Sequence, residues 1–143
     1  MSMPNFKYLE ASINSIPPEE LNLRVFDALV MFSKQGVAAL RETPDDIQRK
    51  HDLLRRAQRA CALLMGSLDF EVGGELARNL FRVYEFWHHE LVMANMYGDP
   101  ERVERLIPDF ISYRATWGEA IRRFRVENSS GRRDQERLEL VGS

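Results

Sequence analysis

At 143 residues the chain suits one domain, long enough to bury a single helical core without staples. With 44% hydrophobic and 29% charged residues it has an ordinary soluble composition, and its net charge of −2 gives no reason to expect nucleic acid or an anionic membrane. No stretch is long and apolar enough to span a bilayer, the N-terminus lacks a signal-peptide core, and the single cysteine, Cys61, excludes an internal disulfide. A cytoplasmic location is expected.

The pattern is helical throughout, without the alternating β-branched runs that mark strands. The segment 1–16 is short and precedes the pair Pro17–Pro18, yet it carries Phe6, Tyr8, Leu9, Ile13 and Ile16 near helical spacing. It reads as an N-terminal cap, either a permanent packing element or a displaceable cover. Pro18 fits the first position of a helix that should run to about Arg41, with Leu21, Val25, Phe26, Leu29, Phe32 and Val37 on its apolar face. In "ETPDD", Thr43 is the expected N-cap and Pro44 the first residue of the second helix. Ile47, Leu54, Cys61 and Leu68 then recur every seven residues, the mark of a bundle seam. Among Ala57, Leu64 and Met65, Cys61 reads as a buried thiol rather than a nucleophile.

The paired glycines of "DFEVGGE" predict a turn, followed by a third helix from about Glu75 to Tyr97 that stops at Gly98. Asp99 as N-cap and Pro100 open the fourth, continued by Val103, Leu106, Phe110, Tyr113, Trp117, Ile121 and Phe124. Pro108 should break or kink that run, at a cost of about 3 kcal/mol in a regular helix interior. The polar, glycine-flanked stretch 126–143 is expected to be disordered. The expected fold is all-α, an antiparallel up-down four-helix bundle over residues 1–125 with the short N-terminal segment added.

The stretch "YEFWHHE" carries residue types that a metal or catalytic site would need. Glu85 and His88 have the Glu-x-x-His spacing of di-iron bundles. The only comparable place, before His51, has Gln48, whose amide lacks the charge hard iron needs, so no metal site is expected. Arg82 and His88 resemble the Arg–His pair of small helical ribonucleases of the HEPN type. On a continuous helix they point roughly 120° apart, on different faces, so a shared phosphate is not expected. No nucleophile-and-base pair can be read, so no catalytic residue and no cofactor is expected.

An excess of apolar surface on the third helix remains. Leu76, Leu80, Val83, Trp87, Leu91 and Ala94 form one stripe; Ala77, Phe81, Tyr84, His88 and Val92 form another; Phe86 and Met93 lie on a third line. Either this is a central helix packed on several neighbours, or one face is a groove for a partner helix.

In "GGELARNLFRVYEFWHHELVMANMYGDPE" the positions Leu80, Tyr84, Phe86, Leu91, Ala94, Asn95 and Asp99 resemble the pattern of the FliS family of flagellin export chaperones. Trp117 and Ala120 in "RATWGEA", Tyr8 and Ile13 near the start, and "PEELNLRVFDALVMF" extend the likeness over roughly Tyr8 to Ala120. Pro17, Phe26 and Ala28 depart from the family's usual residues. The resemblance implies a chaperone, not an enzyme, that covers the disordered C-terminal segment of flagellin, prevents premature polymerisation and hands it to the export apparatus. With the apolar excess it implicates Tyr8, Ile13, Leu76, Leu80, Phe81, Tyr84, His88, Leu91, Asn95 and Trp117 in flagellin binding. No nucleic acid and no membrane insertion are expected, and the chain should be a monomer or a weak homodimer. The rival reading is a small helical enzyme, either a ribonuclease using Arg82 and His88 or a metal-binding bundle.

Overall fold

Prolines, aspartates and glycines set the helix ends. The computed structural model describes residues 18–141, which form α1 (Pro18–Glu42), α2 (Ile47–Gly66), α3 (Phe70–Tyr97) and α4 (Pro100–Val141). α1 starts on Pro18, with Glu19 and Glu20 in its first turn and Arg41 in its last, charges that complement the helix dipole. The expected cap of α2 is corrected. Asp46, not Thr43, caps it, accepting from the Arg49 amide at 3.1 Å. Thr43 turns back and donates its hydroxyl to the Ala39 carbonyl at 3.2 Å, closing α1 instead. A carboxylate is the stronger acceptor for free amides at the positive helix end.

α3 begins earlier than expected. Asp69 caps a first turn from Phe70, and Gly74 (φ 52°, ψ −127°) then interrupts the helix before its main body. At the far end Gly98 takes the left-handed conformation (φ 63°) and closes α3. Asp99 accepts from the Glu101 amide at 3.2 Å as α4 opens. α4 continues as one helix through Pro108, the position at which a kink is expected. Both Pro108 and Glu104, whose carbonyl loses its donor, are exposed, so water can satisfy that carbonyl. α4 also continues through the stretch expected to be disordered, as helix to Val141. All residues from Arg122 to Val141 are exposed, and at about 1.5 Å per residue they extend the helix roughly 30 Å past Ile121.

Cross-helix partners fix the topology. Asp27 meets Arg114 and Arg41 meets Glu104, so α1 and α4 run antiparallel. Asn22 meets Ser67, His51 meets Asn95, and Glu90 meets Arg102, so each consecutive pair is antiparallel as well. α1 packs on α2 and α4, and α3 closes the ring against the same two helices. This is an all-α up-down bundle. Its core is aromatic at the centre: Trp87, 1% exposed, lies edge-on to Phe110 and to Tyr113, each with ring centroids 4.9 Å away, and to Phe26 at 6.4 Å. Truncating such a residue to alanine costs about 3–5 kcal/mol. In the predicted α2 seam Leu54 and Cys61 are buried, but Ile47 is exposed because it is the first residue of the helix.

Candidate functional site

The buried residues of α3 are Ala77, Tyr84, Trp87, Leu91 and Ala94. They come from both apolar stripes, so the core face runs between the two. What the core leaves exposed lies at the start of α3 (Phe70, Val72 and Leu76), in its middle (Phe86) and at its end (Met96 and Tyr97); among these Val72 is 87% and Leu76 67% exposed. These two line one groove of about 240 Å³, formed where the α2–α3 connection meets the start of α1 and the middle of α4.

The floor of the groove is Phe26 and Tyr84, an edge-on ring pair 6.2 Å apart. One wall is Leu76, Ala77 and Leu80 of α3, and the other holds Asn22 of α1 and Trp117 of α4. Ser67, Leu68, Asp69, Val72 and Gly73 close the end. Trp117 is held across the bundle, its indole Nε1 donating to the Glu19 carbonyl at 3.1 Å.

The polar groups of the groove are committed locally. Asp69 Oδ1 accepts from the amides of Glu71 and Val72 at 3.0 and 3.1 Å. Ser67 donates to the Leu64 carbonyl at 2.7 Å and accepts from Asn22 Nδ2 at 3.4 Å. Burial pushes the Tyr84 phenol up to about 12, helped by Tyr113 and Cys61, so it stays protonated at neutral pH. An apolar trough with spoken-for polar ends can bind apolar side chains. Covering Val72 and Leu76 would each return about 1–2 kcal/mol.

Of the residues singled out in the sequence, Leu76, Leu80, Tyr84 and Trp117 come together here. The others lie apart. Phe81 packs its ring on Phe70 at 5.7 Å. His88 is half-buried, and Leu91 is fully buried in the core. Asn95 pairs with His51 at 2.9 Å, well along α3 from the groove. Tyr8 and Ile13 lie outside the described residues. Sequence reasoning missed Asn22, Phe26, Leu68 and Val72 as lining residues. For Val72 a signal existed, an apolar residue in a turn beside two glycines; the other three join the groove only through packing.

The chemical constellations look different in three dimensions. Arg82 is exposed and donates to Asn79 at 3.4 Å, not toward His88. Among the described residues no group of three metal-ligating side chains surrounds Glu85 and His88. Burial raises the Cys61 thiol to about 12, so it is not a nucleophile at neutral pH.

Comparison with known proteins adds a consistent picture. A family profile described as "Flagellar protein FliS" matches residues 1–123. A flagellar secretion chaperone FliS of Bacillus subtilis is 29% identical over 121 residues, covering 82% of this chain and 86% of the relative. Proteins of the same name from Vibrio cholerae and Campylobacter jejuni are 23% and 26% identical, covering 76% and 68% of this chain and 79% and 73% of their own lengths.

Proposed function

Because the chain belongs to the FliS family of flagellar proteins, we propose that it is a non-enzymatic cytoplasmic chaperone for flagellin. In this reading it binds the C-terminal segment of flagellin, which is disordered in the free subunit, prevents its premature polymerisation and delivers it to the export apparatus. The observation that carries the proposal is the apolar groove over Phe26 and Tyr84, with Leu76 and Leu80 on one wall and Trp117 on the other. Its shape and lining suit the apolar face of a helix laid in from outside. Ordering a disordered segment costs about 2–5 kcal/mol, so several apolar contacts of this kind are required. The N-terminal segment fits the same scheme. The first turn of α1 meets the groove rim where Trp117 donates to the Glu19 carbonyl, and in this scheme the apolar residues of the segment 1–16 serve as a cover that flagellin displaces.

Titration with a synthetic C-terminal flagellin peptide from the same organism tests the proposal. Binding should be stoichiometric, should raise helical circular dichroism beyond the sum of the parts, and should show a negative heat-capacity change. Affinity should change little between low and moderate salt, because the contacts are apolar. A steep salt dependence or no gain in helicity would overturn helix-in-groove binding.

A further inference from the structure

Gly74 is the one residue inside α3 with non-helical dihedrals. Its values, φ 52° and ψ −127°, match the first central position of a type II′ turn, which only glycine adopts without strain. A Cβ at Gly74 would meet nothing within 4 Å, so the demand for glycine here is a backbone demand and not one of space. The chain therefore makes one separate helical turn, Phe70–Gly73, before the main body of α3.

That turn is self-contained. Asp69 caps it through the amides of Glu71 and Val72, and the Gly73 amide donates to the Asp69 carbonyl at 2.8 Å. Each of these bonds joins the turn to Asp69, so Asp69–Gly73 can move as one piece without breaking them. Among the described residues no side-chain hydrogen bond or ion pair ties the turn to another helix. Two contacts hold it to the main body: the ring of Phe70, 44% exposed and edge-on to Phe81, and the close approach of Gly73 to Ala77, where an added Cβ would lie 2.8 Å from the alanine's. A half-exposed edge-on contact between two rings is a weak hold that thermal motion can release. The same short stretch supplies Asp69, Val72 and Gly73 to the closed end of the groove.

We propose that the turn Phe70–Gly73 is a hinged lip of the groove, pivoting on Gly74 and latched by Phe70 against Phe81, so that the width of the groove is adjustable. Latched, the lip shortens the trough; released, it opens the closed end and lets a longer apolar helix lie along Leu76 and Leu80. The proposal rests on reading the groove as a helix-binding site, but its first test needs no ligand.

Val72→Cys can be labelled with bimane, since Cys61 is buried and unreactive at neutral pH. Trp117 lines the same groove and quenches bimane on close approach; Trp117→Phe in the labelled protein establishes that component. In the free protein the label should show quenched and unquenched fractions. Phe81→Ala, which releases the latch, should shift the label toward the unquenched fraction. Gly74→Ala should abolish the quenched fraction, because alanine drives the hinge into helical dihedrals and carries the lip away. Thermal melts of both variants establish that the bundle is intact, and Phe70→Ala serves as the second latch variant if Phe81→Ala does not fold. A single fluorescence state, unmoved by Gly74→Ala or by loss of the latch, overturns the hinge. Adding the flagellin peptide then separates the two readings. A lip that moves in the free protein while no peptide binds leaves the hinge standing and removes the groove assignment. Peptide binding with an immobile lip does the reverse.

Discussion

Trp117 donates its indole N–H to the carbonyl of Glu19, 98 residues earlier in the chain, at 3.1 Å. The bond joins the middle of α4 to the first turn of α1 and holds the aromatic rim of the groove in place. Trp117→Phe keeps a ring but loses the donor. It should cost about 1 kcal/mol of stability, the usual net worth of such a bond, and weaken peptide binding modestly. Trp117→Ala should weaken binding more, because it also removes apolar wall. Melts and titrations of the two variants side by side check the order.

Burial separates two positions that the sequence treats alike. Leu76 is 67% exposed and Tyr84 only 6%. Leu76→Asp should weaken peptide binding strongly while shifting the melting temperature little, as surface changes generally do. Tyr84→Asp should lower the melting temperature of the free protein steeply, because it places a charge among Phe26 and Trp87. If Leu76→Asp binds as tightly as the parent protein, the wall assignment is wrong.

Two buried acids make the bundle sensitive to alkali. Burial pushes the Cys61 thiol from its ordinary value of 9.0 to about 12 and the Tyr84 phenol from 10.0 to about 12. Below pH 9 both are protonated, folded or unfolded, and stability does not depend on them. Between pH 9 and about 12 the unfolded chain gives up these protons and the folded one keeps them, so stability falls as pH rises. The melting temperature should decline across that window, and Cys61→Ala should move the onset toward the tyrosine's range. A flat profile to pH 11 would contradict the assignment.

The C-terminal part of α4 is helical but exposed from Arg122 onward. Truncation after Glu127 should lower the total helical signal while leaving the melting temperature and peptide affinity nearly unchanged, since no core surface is lost. A clear drop in either would show that this stretch docks on the bundle.

The segment before Pro17 competes with flagellin in the proposed scheme. Deleting it should raise the binding-competent fraction and tighten apparent peptide affinity. Weaker binding with an intact fold would make it a permanent part of the site instead.

How far the residues speak for themselves can be seen helix by helix. Pro18, Asp99–Pro100 and Gly98 marked their helix ends correctly, because capping and backbone restriction act over a few residues. Leu54, Cys61, Trp87 and Phe110 were legible as core from helical spacing, and the four-helix order followed from short connections. The glycine pair was legible as an interruption, though not that a capped turn would precede it as part of α3. Local sequence did less well where carboxylate and hydroxyl competed for one cap, as Asp46 and Thr43 did. It could not divide the apolar residues of α3 between core and groove. Helical periodicity says which side chains share a face, so Tyr84 and Leu80 could be assigned to stripes from the sequence alone. Which stripe is covered depends on where α1, α2 and α4 lie around α3, and that is set by contacts between residues far apart in the chain. Phe26 meeting Tyr84, and Trp117 reaching Glu19, turn one end of an apolar helix into a groove. Those contacts exist only after the helices have packed.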